Sequence, residues 1–283
     1  METRVSGATR EVVIAHDRPT VIIGERINPT GKKRMSEALR AGNLEVVCEE
    51  ALAQVRAGAD IIDVNVATTG VDEVSLLAQA VTAVAEAVDV PLCLDSPNPE
   101  ALAAALKVCP GKPLVNSVTG EEHSLKTVLP LVKEYGAAVI GLVQDEAGIP
   151  KDAESRLAVA HKIIERAEAA GIPREDVIID CLAFAVGADP KSALVILETA
   201  QRIKSELGVN LTLGASNVSF GMPDRSLLNG AFVAMVITAG VTCLIADTAK
   251  IRPMVLATDL LLNRDEYARR YIRAHRELKK QSG

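Results

Sequence analysis

A chain of 283 residues, 48% hydrophobic and 2% aromatic, is long enough for one large α/β barrel, and its core must be built from Ala, Val, Leu and Ile, as suits buried parallel strands. A formal net charge of −6 argues against a nucleic-acid binder, which needs clustered Lys and Arg to neutralise phosphates. No run reaches the roughly 18 apolar residues of a membrane helix and the N-terminus lacks the apolar segment of a signal peptide, so a soluble, cytoplasmic protein is expected.

Residues 1–20 read as an N-terminal extension with one short apolar run, 12–15, suited to closing the bottom of a barrel. The first strong strand is Val21-Ile-Ile-Gly-Glu-Arg-Ile27, which empties into the turn Asn28-Pro-Thr-Gly31. Helical periods follow over 33–40 and 44–57, the second stopped by Gly58. Residues 59–66 form the second strand, apolar apart from Asp63 and Asn65, which alternation puts on one face. A helix over 74–88 leads to the third strand, 91–96, ending near Asp95; a helix over 99–108 leads to the fourth, 113–118, interrupted by Asn116. The helix 122–134 precedes the fifth strand, 137–143, and a long helix from Asp152, a suitable N-cap, runs to Ala170 before Gly171. The sixth strand, 177–182, carries Asp180. After the helix 191–207, residues 211–221 form an apolar run that breaks into small polar residues at Ser216 and Asn217. Residues 225–239 are helical, 241–247 are the eighth strand, and closing helices run from 253 to about 280.

Eight strand signals alternating with helices predict a (β/α)8 TIM barrel as a single domain over 1–283. An open doubly wound sheet is the alternative. It needs a switch-point site, and no Gly-x-Gly-x-x-Gly follows the first strand.

In a TIM barrel the chemistry sits where strands end, so Asp63, Asn65, Asp95, Asn116, Asp180, Ser216 and Asn217 are expected to ring one mouth, joined by Glu25, Asn28 and Asp247. Taken alone, residues 214–221 read first as a strand-to-helix turn, and each carboxylate equally as a helix cap. No histidine lies at a strand end, and His16, His123, His161 and His275 show no zinc-ligand spacing, so no metal site is expected. The five cysteines form no Cys-x-x-Cys pair and are expected reduced. Carboxylates accept paired N–H donors, and Asn complements neighbouring carbonyl and ring nitrogens. The ring therefore suits a planar ligand with an amino-pyrimidinone edge, as a pterin has.

The segments Gly24-Glu-Arg-Ile-Asn-Pro-Thr-Gly31, Gly58-Ala-Asp-Ile-Ile-Asp-Val-Asn-Val66, Leu94-Asp-Ser96, Val115-Asn-Ser117, Ile179-Asp180 and Ser216-Asn-Val-Ser-Phe-Gly221, in this order, resemble the pterin-binding methyltransferases that move a methyl group between tetrahydrofolate and a corrinoid protein. The resemblance covers nearly the whole chain. It implies that Asp95, Asn116 and Asp180 hold the pterin ring with Asp63 and Asn65 nearby, and that Asn217 hydrogen-bonds near N5, the nitrogen of 5-methyltetrahydrofolate that carries the methyl group. It implies an SN2 transfer assisted by N5 protonation, a role for Asn217 and Asp180 in catalysis, Arg225 at the anionic folate tail, and a homodimer. No Asp-x-His-x-x-Gly cobalamin motif is present, so the corrinoid (cobalamin) is expected on a separate partner protein. Two alternatives remain open at this point: a dihydropteroate synthase-like enzyme, whose Ser-Arg-Lys element is missing after the seventh strand, and a non-catalytic folate-binding protein.

Overall fold

The structure, a computed structural model, describes residues 1–282. Two short strands come first, β1 (Thr3–Ser6) and β2 (Glu11–Ile14), paired as an antiparallel hairpin. The apolar run at 12–15 announces the second. The first has one large apolar residue, Val5, in four, too little pattern for a strand signal.

Eight parallel strands follow: β3 (Val21–Ile27), β4 (Ile61–Val64), β5 (Leu92–Asp95), β6 (Leu114–Thr119), β7 (Ala138–Leu142), β8 (Val177–Asp180), β9 (Asn210–Thr212) and β10 (Cys243–Ala246). Their order, β10-β3-β4-β5-β6-β7-β8-β9, runs once around a nearly closed TIM barrel. The seam between β9 and β10 is held by backbone bonds from Thr242 N to Leu211 O and from Ile245 N to Leu213 O, both 3.0 Å, and by a bridge between Gly214 and Ile245. Between and after the strands run α1 (Lys33–Arg40), α2 (Glu45–Ala57), α3 (Glu73–Ala87), α4 (Pro99–Val108), α5 (Glu122–Tyr135), α6 (Ala153–Ala169), α7 (Ser192–Leu207), α8 (Arg225–Ala239), α9 (Thr248–Leu261) and α10 (Arg269–Ser282). Asp152 caps α6 as its sequence context suggests, accepting from Ser155 N at 2.8 Å. Among the described residues no helix is long and apolar enough to cross a membrane.

Strands buried on both faces need two apolar layers. The outer layer joins strand residues such as Ile62, Leu94 and Ile179 to the inward stripes of the helices. The inner layer fills the barrel with Val21, Ile23, Ile61, Cys93, Leu114, Ala138, Ile140, Ile178 and Cys243, and the hairpin adds Val5, Val12 and Ile14 from below. Each fully buried Ile or Leu contributes roughly 1.5–3 kcal/mol. Several polar contacts fasten the hairpin: Asn210, wholly buried, donates to Thr3 Oγ1 at 2.9 Å and to Ile14 O at 2.8 Å, Thr3 Oγ1 donates to Glu175 O, and the Ser6 backbone pairs with that of Lys112. The amino-terminal end of the barrel is thereby plugged, and the carboxyl end stays open.

Candidate active site

The period of two along a strand carries the inner apolar layer directly into the polar mouth. Two residues beyond Ile23 stands Glu25; beyond Ile61 stand Asp63 and then Asn65. Beyond Cys93 stands Asp95, beyond Leu114 Asn116, beyond Ile178 Asp180, and beyond Cys243 come Ile245 and Asp247. Glu25, Asp63, Asp95, Asn116, Ser216, Asn217 and Asp247 line one cavity of about 460 Å3, with Asn28 at its edge.

The floor of that cavity is a hydrogen-bonded network. Asn116 Nδ2 donates to Asp63 Oδ1 at 3.2 Å, and Asn65 Nδ2 donates to Asp95 Oδ2 at 2.8 Å while Asn65 Oδ1 accepts from Ala67 N. Asn65 therefore acts on the cavity through Asp95. Burial first, and the neighbouring Asp95 charge second, push the Asp63 carboxyl well above the usual carboxylate range. Asp95 is also raised, chiefly by burial, with the Asn65 hydrogen bond opposing it. Two carboxylates facing each other in an apolar surround do not both ionise readily, so the pair holds a proton more easily than either alone.

Across the cavity, residues 215–219 coil into a short 3-10 turn rather than continuing β9, which is three residues long. Ser216 Oγ donates to Glu25 Oε1 at 3.0 Å, and burial raises the Glu25 carboxyl with that bond opposing it. Asn217 is exposed into the cavity, and among the described residues its side-chain amide has no hydrogen-bond partner. Gly214 makes room for it: a Cβ there would lie 3.0 Å from Asn217 Nδ2.

Two expected residues sit differently from the rest of the ring. Asp180 is buried beneath the loop after β8, where its Oδ1 accepts from Leu182 N at 2.7 Å, and it is not among the residues lining the cavity; burial raises its pKa to about 7. Arg225 lines the cavity but spends its guanidinium on the 3-10 turn, donating from Nε to Ser219 Oγ at 3.0 Å and from Nη2 to Ser216 O at 2.8 Å. It braces the turn that carries Asn217.

The sequence reading missed a basic wall. Arg26 reaches Glu50 at 3.4 Å and Asp247 at 3.6 Å, Lys250 reaches Asp247 at 3.2 Å, and Lys32 donates to Arg26 O at 2.6 Å. Burial, then the Arg26 charge, lowers the Lys32 pKa. Asn229 of α8 adds a buried Oδ1 with no protein partner among the described residues. Alternation finds strand residues and cannot find side chains that reach in from loops and helix starts. A second cavity of about 320 Å3 shares Asp95 and Asn116 and is bordered by His123, which comes from the first turn of α5 rather than from a strand end. All five cysteines are free, and among the described residues no group of three or more His, Cys, Asp or Glu side chains is arranged to hold a metal.

A TIM barrel with buried carboxylates and amides at its mouth is the architecture of the pterin binding enzymes, and the chain belongs to that family, matching it over residues 24–247. The methylcorrinoid:tetrahydrofolate methyltransferase of Eubacterium limosum is 33% identical over 265 residues, 91% of this chain and 96% of that protein. The methionine synthase of Mycobacterium tuberculosis is 31% identical over 266 residues, 89% of this chain but 22% of that longer protein. Among solved structures, dihydropteroate synthase from Xanthomonas albilineans superposes with a TM-score of 0.73 at 20% identity, covering 93% of this chain and 98% of that one. The Yersinia pestis enzyme gives 0.72 at 19%, covering 93% and 99%. At such identities these two establish the shared fold.

Proposed function

We propose that this protein exchanges a methyl group between N5 of tetrahydrofolate and the cobalt of a corrinoid carried by a separate protein. The observation that carries the reading is the Asn217 amide, unpartnered and facing the same cavity as Asp63, Asp95 and Asn116. The Eubacterium limosum relative, matched over nearly its full length, favours methyl transfer over the pyrophosphate displacement of a dihydropteroate synthase.

In this reading the Asp95–Asn65 and Asp63–Asn116 pairs receive the N–H and carbonyl edges of the pterin, since a carboxylate accepts two parallel donors and an amide does both. Asp180, held under the floor with a pKa of about 7, supports the ring from below. Direct attack moves the methyl carbon from nitrogen to cobalt, and N5 must gain a proton to leave. Asn217 can accept from a protonated N5 or donate to an unprotonated one by turning its amide, so it stabilises the charge that develops without being an acid itself. Arg225 keeps the turn in place while this happens. Phe220 and Leu227, 72% and 69% exposed shortly after Asn217 in the chain, supply an apolar flank of the kind a docking protein covers.

The deciding experiment mixes the protein with methyltetrahydrofolate and Co(I) corrinoid and follows the absorbance of methyl-Co(III). Transfer is expected; none with either free cobalamin or the corrinoid protein would overturn the assignment.

A further inference from the structure

The opposite end of the barrel holds a second polar cavity, of about 280 Å3, that the folate reading does not use. Its walls are Arg10 from the β1–β2 turn, Arg252 from α9, and Arg270 and Arg273 from α10, around the single carboxylate of Asp60 just before β4. Asp60 Oδ2 is engaged by Ile22 N at 3.0 Å, and Arg270 is shared with Asp259 at 3.2 Å. Among the described residues the side chains of Arg10, Arg252 and Arg273 make no hydrogen bond or ion pair. Asp259 is shared with Arg264 as well as with Arg270, so Asp60 and Asp259 leave the four guanidinium groups of the recess with an excess of positive charge. Planar guanidinium forks converging on a small recess are suited to a tetrahedral oxyanion.

The recess is built for its arginines. Gly58 ends α2 in the left-handed region at φ 99°, and a Cβ there would lie 2.3 Å from Arg252 Nε. The glycine thus clears the bed in which the Arg252 guanidinium lies. A neighbouring cavity, also about 280 Å3, shares Arg252 and Leu256 with the first and continues along Pro253, Tyr271 and Ala274, with Arg56, His275 and Glu277 also lining it. One cleft therefore has a cationic lobe and a mixed lobe in which Leu256, Pro253 and the Tyr271 ring form the apolar surface.

We propose that this cleft binds a phosphate monoester, its dianionic phosphate among Arg10, Arg252, Arg270 and Arg273 and its organic body against Tyr271 and Leu256. The site lies at the plugged end of the barrel, away from the mouth, and is independent of the folate chemistry.

Calorimetric titration of the whole protein with inorganic phosphate and with phenyl phosphate, at fixed ionic strength in chloride, tests it. Phosphate should bind, phenyl phosphate should bind more tightly, and Arg10→Glu and Arg273→Glu, both exposed positions, should each weaken binding roughly tenfold or more with unchanged thermal melting. Tyr271→Ala should bring phenyl phosphate down to the affinity of phosphate, and Lys250→Glu at the mouth should change neither. No binding above chloride overturns the proposal. So does binding that survives Arg273→Glu and is lost in Lys250→Glu, since the anion would then sit at the mouth. Equal affinity for both probes overturns the assignment of the second lobe.

Discussion

The two ends of the barrel are made from the same strands, and their inward faces differ by a step of two residues. At the amino-terminal end Val21, Ile61, Leu114 and Cys243 meet the hairpin residues Val5, Val12 and Ile14, and the amide nitrogen of buried Asn210 is spent on fastening the plug, through Thr3 Oγ1 and Ile14 O. At the carboxyl end Glu25, Asp63, Asp95 and Asn116 occupy the same inward file, their charges crowded and partly desolvated, with Asn217 left unpartnered. Satisfied polar groups hold structure together; unsatisfied ones, kept in place by their neighbours, are available to a ligand.

Substitutions should separate the ends. The largest effect is expected from Asn217→Ala, which should slow methyl transfer by roughly 100-fold or more while folate affinity, measured by fluorescence or calorimetry, changes far less. Equal losses in rate and affinity would make Asn217 a simple binding residue. Next comes Asp95→Ala, which removes an acceptor from the floor and should weaken folate binding by about 10- to 100-fold; a rate defect at saturating folate with intact affinity would contradict the assignment. At the plugged end Asn210→Ala should cost about 2–3 kcal/mol in denaturant unfolding, with the folded protein transferring methyl at the normal rate. A catalytic defect in fully folded Asn210→Ala protein would mean the two ends are coupled.

The smallest effect tests the group that belongs to neither description cleanly. Asp180 has its pKa raised from 3.8 to about 7 by burial, so the folded state retains a proton that the unfolded chain releases. Its stability contribution is fully present below about pH 4 and declines as pH rises toward 7. Asp180→Asn, which keeps an acceptor for Leu182 N, should therefore stabilise the protein by roughly 1–3 kcal/mol at pH 8 and by little at pH 4. Thermal melts at the two pH values check this, and an equal shift at both would show that Asp180 is ionised throughout.

Much of the site could be read in advance because a strand has a rigid period. Once Ile61 is inside the barrel, Asp63 must be too, and the same holds for Cys93 with Asp95 and Leu114 with Asn116. The Arg26, Lys32 and Lys250 wall and the orphaned Asn229 oxygen were invisible, because long side chains on loops and helices have no fixed phase relative to the strands. Arg225, expected at the folate tail, lines the cavity and also bonds Ser219 Oγ and Ser216 O, partners that take this position only once residues 215–219 have coiled into a 3-10 turn.

The sequence by itself determined the barrel, the order of its strands and the polar ring at their ends, since alternation and helical period are local properties written into each segment. Tertiary structure decided which of those polar groups were already spoken for. Asp180 is turned onto Leu182, Asn65 onto Asp95 and Ser216 onto Glu25, while Asn217 faces open space. It also brought Arg10, Arg252, Arg270 and Arg273 together from three separate elements. Whether a side chain is satisfied depends on neighbours up to two hundred residues away, and no local pattern carries that information.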